Sequence, residues 1–167
     1  MGLSSSYLVT PDLQKLVVEE LGAKVLGSGV HQGDFWIQVN GEDVLDVIDF
    51  LRSHERLAFD WFVDLFGVDY LGKASPRFEV VIHLYSMAKK HRIRLRCRVS
   101  DRSLTMPSVV SRWPAANWQE REAFDQYGIR FDGHPNLERI LNAPDLTVFP
   151  QRKDYPLKGD RETEEDL

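Results

Sequence analysis

Between residues 91 and 99, arginine and apolar side chains alternate without a break: Arg92, Arg94, Arg96 and Arg98 stand against Ile93, Leu95, Cys97 and Val99. A period of two sends successive side chains to opposite faces of a strand, whereas a helical period would scatter the four guanidiniums around a cylinder. The segment therefore reads as a strand with one apolar and one cationic face. Upstream, Phe78, Val80, Ile82 and Leu84 alternate with Glu79, Val81, His83 and Tyr85. That run is apolar enough on both faces to predict a central strand.

The rest of the chain supplies helices to cover such a sheet. Thr10-Pro11 reads as an N-cap and first helical residue, and Leu13, Leu16, Val17 and Leu21 keep helical spacing up to Gly22. Lys24–Leu26 and Phe35–Val39 read as a hairpin, with Gly27, Gly29, Gly33 and Asp34 in a flexible tip. Residues 42–54 carry Val44, Leu45, Ile48 and Leu51 on one stripe, with acids in the first turn and Arg52 and His54 in the last, as a helix dipole favours. Phe59–Tyr70 reads as a turn of helix and then a strand.

The predicted class is α+β: a two-layer domain with helices packed on one mixed sheet in the order α-β-β-α-β-β-β, followed by a short helix and an extended C-terminal arm. Residues 1–106 form the body, 107–129 the Trp-Pro segment and capped helix, and 130–167 the docking arm. A length of 167 residues suits one domain with an appendage. From Pro107 onwards, prolines 114, 135, 144, 150 and 156 are too closely set for regular structure, and 130–167 reads as an extended arm. Phe131, Leu137, Ile140, Leu141, Val148, Phe149, Tyr155 and Leu157 make the arm too apolar for a solvated linker, so it needs a surface to lie on.

Charge and cysteine usage exclude several function classes. A net charge of −5 argues against coating nucleic acid. The single cysteine, Cys97, excludes an intrachain disulfide and a multi-cysteine cage for zinc or an iron–sulfur cluster, and suits a reducing compartment. No run approaches the about 18 apolar residues of a spanning helix, and neither a signal peptide nor a transit pattern opens the chain. Met1-Gly2 with Ser6 matches a myristoylation pattern formally, as a Ser-rich start does by chance.

Candidate chemistry is sparse. Asn117 with Glu120 three positions on resembles a capping box for a helix that Gly128 ends, and Arg121 and Asp125 are one turn apart and placed to pair. Taken alone, the segment reads as a capped helix with surface ion pairs; Glu120, Glu122 and His134 as acid, base and ligand of a free-standing enzyme is the competing reading. His31, His54, His83, His91 and His134 show no HxH or HExxH spacing, and no phosphate-cradling glycine motif is present. His134, between Gly133 and Pro135, is expected to anchor a turn through a hydrogen bond. The arginine face reads equally as a solvated sheet face, needing acids between its like charges, or as a docking surface. Without interleaved aromatics, nucleic acid is the weaker partner for it.

Three stretches together resemble a known family. Trp113-Pro114-Ala115-Ala116-Asn117-Trp118 runs into Glu120-Arg121-Glu122-Ala123-Phe124-Asp125 and then Gly128-Ile129-Arg130-Phe131-Asp132-Gly133-His134-Pro135-Asn136-Leu137-Glu138-Arg139-Ile140-Leu141. Arg152-Lys153-Asp154-Tyr155-Pro156-Leu157 follows, and Val68-Asp69-Tyr70 and His83-Leu84-Tyr85-Ser86 precede. These resemble the 30-kDa subunit of respiratory complex I, the NADH-quinone oxidoreductase of bacteria, over residues 60–158. Phe124 stands where the family usually has tyrosine, Asn136 where it has aspartate, and Glu138 where a basic residue is common. Thr147–Gln151 replaces a tryptophan-containing Gly-His-Pro stretch.

The resemblance implies a subunit with no catalytic, cofactor-binding or metal-ligating residues of its own, with FMN, iron–sulfur clusters and quinone held by partner subunits. It implies packing on the large quinone-site subunit, the 49-kDa homologue, through the arm, at the cytoplasmic face of a bacterial cell membrane and touching that membrane only through the complex. Arg121, Asp125, His134 and Arg139 are then expected to fix the helix-to-arm turn. Phe149, Arg152, Tyr155 and Leu157, with Lys153 and Asp154 in the same motif, are expected to dock across the subunit boundary. The equivalent subunit of an energy-converting hydrogenase, or of a relative with another electron donor, would look much the same.

Overall fold

The computed structural model describes residues 9–156; the Met1-Gly2 start, Leu157 and the acidic end fall outside the described residues. Helix α1 (Pro11–Leu21) leads into strands β1 (Gly27–His31) and β2 (Asp34–Asn40), then helix α2 (Val44–Ser53) and the meander β3 (Trp61–Asp69), β4 (Phe78–Ser86) and β5 (His91–Val99). After them come β6 (Thr105–Pro107), α3 (Ala116–Tyr127) and β7 (Arg130–Asp132). The predicted α-β-β-α-β-β-β order is the order observed.

The arginine run is β5, and it sits in the middle of a five-stranded mixed sheet ordered β1-β2-β5-β4-β3. It pairs in parallel with β2 and antiparallel with β4, whose other edge pairs antiparallel with β3. Ile93, Leu95, Cys97 and Val99 all point into the core beside Ile37, Val80, Ile82 and Leu84. The stripe Val44, Val47, Ile48 and Leu51 of α2 covers them with no side chain exposed. Each such burial stabilises by about 1.5–3 kcal/mol, which is what fixes the strand faces and hence the register. Burial also pushes the Cys97 thiol far above its ordinary range, leaving an inert core residue.

Three local expectations need correction. The first hairpin strand is Gly27–His31, not Lys24–Leu26, so Gly27 and Gly29 lie within the strand and Gln32-Gly33 make the turn. Gly29 is there because a Cβ would sit 2.9 Å from the Trp36 ring across the pair. Phe59 and Phe62 do not begin a helix: all of Trp61–Asp69 is strand, with a bulge between Phe62 and Asp64 that disguises the period of two. At the start of the arm, Arg130–Asp132 is β7, paired in parallel with β6. Met106, Ile129 and Phe131 carry this small sheet into the main core.

Candidate functional site

Helix α3 packs on the edge strand β3 at a point where the sheet offers no side chain. A Cβ on Gly67 would lie 2.6 Å from Tyr127 Cδ2, so glycine is what lets the two backbones approach. The helix ends at Gly128, in the left-handed region at φ +76°, whose N–H donates to Phe124 O at 2.8 Å. The capping box does not form. Ala115 precedes the helix, and Asn117 lies inside it, its carbonyl 3.2 Å from His134 Nε2. Asn136 N–H donates to the other ring nitrogen, Nδ1, at 3.0 Å, so Nε2 carries the proton and the ring ties the turn to α3. His134 thus anchors a turn as its sequence setting suggests.

The acids of α3 are not surface ion-pair members. Asp125 is fully buried, and its Oδ2 accepts the backbone N–H groups of Ile140, Leu141 and Asn142 at 3.1, 2.8 and 2.9 Å. Arg139 Nη1 reaches Oδ1 at 2.6 Å and the Asp125 carbonyl at 3.0 Å, and its Nη2 donates to Val148 O at 3.0 Å. Burial alone would raise the Asp125 pKa, but these donors outweigh it and hold the carboxyl well below the usual range. Arg121 does not pair with Asp125. It donates instead to Glu138 O at 3.0 Å and Arg139 O at 2.9 Å while lying over the Trp118 ring. Arg121, Asp125, His134 and Arg139 therefore meet the same helix-to-arm turn, each through a different bond.

Glu120, also fully buried, turns to the other side and accepts Ser108 Oγ and Val109 N–H, both at 2.6 Å. Among the described residues no cation pairs with it. Burial pushes its carboxyl up to about 7, with the two hydrogen bonds opposing. Because the folded value exceeds the ordinary value of 4.5, the native state binds the extra proton between the two, and this group's contribution falls as pH rises through that window. His83 and His91, lowered chiefly by burial, tilt the profile the opposite way below their ordinary range. The difference between wild type and Glu120→Gln isolates the carboxyl. In urea melts the variant should gain on wild type from about pH 5 to about pH 7 and level off above it, and a flat difference would contradict the assignment.

The last described stretch of the arm lies on the body. Phe149 and Arg152 close over Gly128, Arg152 stacks on Phe149 and Phe78, and its Nε donates to Tyr127 O at 2.7 Å. Next to it Arg77 grips two acids, buried Asp69 at 2.8 and 2.6 Å and Asp154 at 2.9 and 2.8 Å. Asp69 also accepts the N–H of Lys153 and of Leu71, at 2.8 Å each. Burial raises the Asp69 pKa, but Arg77 and these two donors bring it down to about 2. The Lys153 side chain is exposed, Tyr155 N–H donates to Arg152 O at 3.0 Å, and Pro135 is exposed in the turn that His134 anchors.

Asp69, Arg77, Ser108 and Tyr127 belong to this network; Asp69 lies in the Val68-Asp69-Tyr70 stretch of the resemblance, and no sequence motif singles out the other three. A signal for one is present: Leu65, Gly67 and Asp69 share a strand face, so Asp69 points inward and must find partners. The three residues of the free-standing enzyme reading do not converge. Glu120 faces Ser108, Glu122 is exposed on its own side of the helix, and His134 is held by Asn117 and Asn136. Among the described residues no group of three or more His, Cys, Asp or Glu is placed to hold a metal.

Comparison with known proteins finds the same family. The model of the family described as "Respiratory-chain NADH dehydrogenase, 30 Kd subunit" matches residues 37–161. A subunit of the NADH-quinone oxidoreductase of Roseiflexus castenholzii is 49% identical over 133 residues, covering 80% of this chain and 76% of the relative. A subunit of the same name from Rhizobium meliloti is 43% identical over 143 residues, covering 86% and 78%. Among solved structures, the trypsin-resistant fragment of Nqo5 is similar with a TM-score of 0.62 at 30% identity, over 74% of this chain and 98% of the fragment. A chain of the archaeal membrane-bound sulfane sulfur reductase shares the fold, with a TM-score of 0.72 at 22% identity over 87% of this chain and 85% of that one.

Proposed function

This chain belongs to the 30-kDa subunit family of the respiratory-chain NADH dehydrogenase, and from that premise we propose that it is a non-redox structural and assembly subunit in the peripheral arm of a proton-pumping NADH:quinone oxidoreductase. Its relatives are named as subunits of NADH-quinone oxidoreductases, so its partners are other subunits of such a complex. The partner proposed for α3 and the arm is the large quinone-site subunit, the 49-kDa homologue. FMN, iron–sulfur clusters and quinone belong to partner chains. The chain sits at the cytoplasmic face of the membrane and meets the bilayer only through the complex; no helix among the described residues is long and apolar enough to cross it.

The observation that carries this reading is how the charged motif is used. Asp125 and Arg139 are spent on closing the arm, and Glu120 on holding the 108–109 turn, so none of them faces a space where a substrate could react. Beside the exposed Glu122 and Glu138, the motif also leaves two large apolar side chains outward. Trp118 and Leu141 are 57% and 65% exposed beside the arm turn, a pairing that supports a partner surface.

Arg121 braces that turn while stacked on Trp118, so Arg121→Ala loosens both without touching chemistry. The variant should lower the yield of assembled complex severalfold and leave turnover per assembled complex unchanged. Normal assembly with lost turnover would contradict a purely structural role.

A further inference from the structure

Helices cover one face of the sheet, and among the described residues none covers the other. Alternation places Arg92, Arg94, Arg96 and Arg98 there, in cross-strand register with Tyr85, His83, Val81 and Glu79 of β4. Next to that row on β3 stand Trp61, Val63 and Phe66, exposed by 56%, 51% and 40%. Trp36 on the opposite side lies under Arg96 at 5.1 Å. Two hollows of about 460 and 470 Å³ share the His83–Arg94 pair as their divide. One is walled by Val63 and Tyr85, the other by Trp36, Phe66 and Tyr70.

The guanidiniums are already set. Arg92 and Arg94 share Asp34 at 3.0 and 3.3 Å, Arg94 Nε donates to His83 Nε2 at 3.0 Å, and Arg96 holds Glu79 at 2.9 Å. Arg98 donates to the Ser75 carbonyl. Four guanidiniums face three carboxylates, Asp34, Glu79 and Asp64, so this face carries one excess positive charge on a chain whose net charge is −5. A merely solvated face would be polar throughout. This one combines fixed arginines with tryptophan, tyrosine and phenylalanine, the residue types that dominate binding energy at protein interfaces.

We propose that this open, arginine-ribbed sheet face is a second docking surface, separate from the arm, that receives an acidic segment of another subunit of the same complex with apolar side chains seated in the two hollows. The inference rests on membership of such a complex. Charge complementarity selects an acidic segment, and the hollows require apolar anchors within it. The chain's own end, from Lys158 to Leu167, is acidic but has no aromatic residue and only a terminal leucine, so its composition supplies few apolar anchors for them.

The test is site-specific photo-crosslinking in the purified complex, with the reactive residue at position 63, outside the arginine pairs, and the tag on this chain. The expected product joins position 63 to an acidic segment of another subunit. Arg92→Glu with Arg94→Glu should lower its yield by about tenfold, as should Trp61→Ala, an exposed site whose loss leaves the core intact; circular dichroism confirms that each variant is folded. Crosslinks to residues 157–167, to a second copy, to lipid, or to nothing in an intact complex overturn the proposal. Purification of the chain with no other subunit overturns the functional reading itself, so the two failures are distinct.

Discussion

Asp125→Ala is expected to destabilise the protein by about 3–5 kcal/mol, the loss typical of leaving one member of a buried ion pair without its partner. The side chain is fully buried and accepts from three consecutive backbone N–H groups and from Arg139, itself largely enclosed. Alanine would strand one guanidinium and three amides in the interior. The least costly relief is for residues 138–148 to lift off α3 and hydrate, so the same variant should become sensitive to trypsin at Arg139. Urea melting and limited proteolysis read the two effects. Asp125→Asn keeps an acceptor but cannot balance Arg139, and should fall between. Because the carboxyl's pKa is depressed in the folded state, the stabilisation is present above its ordinary value of 3.8 and is lost only as pH falls below it. A loss below about 1 kcal/mol would place the pair among ordinary surface contacts.

Gly128→Val should cost about 3 kcal/mol or more, through two separable effects. Position 128 adopts φ +76°, which a β-branched residue resists by about 1–2 kcal/mol. A Cβ there would also stand 2.6 Å from Arg152 Nη2 and 2.7 Å from Phe149 Cε2, so both side chains that close the arm must move. Gly128→Asn tolerates the left-handed backbone and isolates the crowding. Thermal melts should rank wild type above asparagine and asparagine above valine. Equal melting of all three would mean that Phe149 and Arg152 are not held against the helix end.

The arginine strand, the central strand before it and α2 are legible in the residues because one period and one buried face decide each of them. The bulge after Phe62 hides β3: the extra residue brings Phe59, Phe62, Val63 and Phe66 into apparent helical spacing. β1 is displaced from its expected position because its glycines resemble turn residues, when the reason for Gly29 is the Trp36 ring on the neighbouring strand. At the helix-to-arm turn the residue types are right and the partners are not. Arg121 and Asp125 at helical spacing promise a local pair, yet each finds a stronger partner in the arm, a contact set by the fold of residues 136–149. Glu120 resembles a capping residue, and only the return of residues 107–109 beside β7 shows why it is buried.

Phe149 and Arg152, expected to cross a subunit boundary, stack on each other within this chain, and Arg152 also on Phe78. The Arg77 grip on Asp69 and Asp154 ties the last described stretch of the arm to the body. A partner would then meet a preformed arm, which lowers the ordering cost of association.

Purification of the chain under mild detergent, with a tag and with identification of what accompanies it, decides whether it is a scaffold for redox partners. The quinone-site subunit should be recovered in stoichiometric amount, with redox signals in the assembly and none in this chain once it is separated. A lone monomer, or a redox centre that stays with the separated chain, would contradict it.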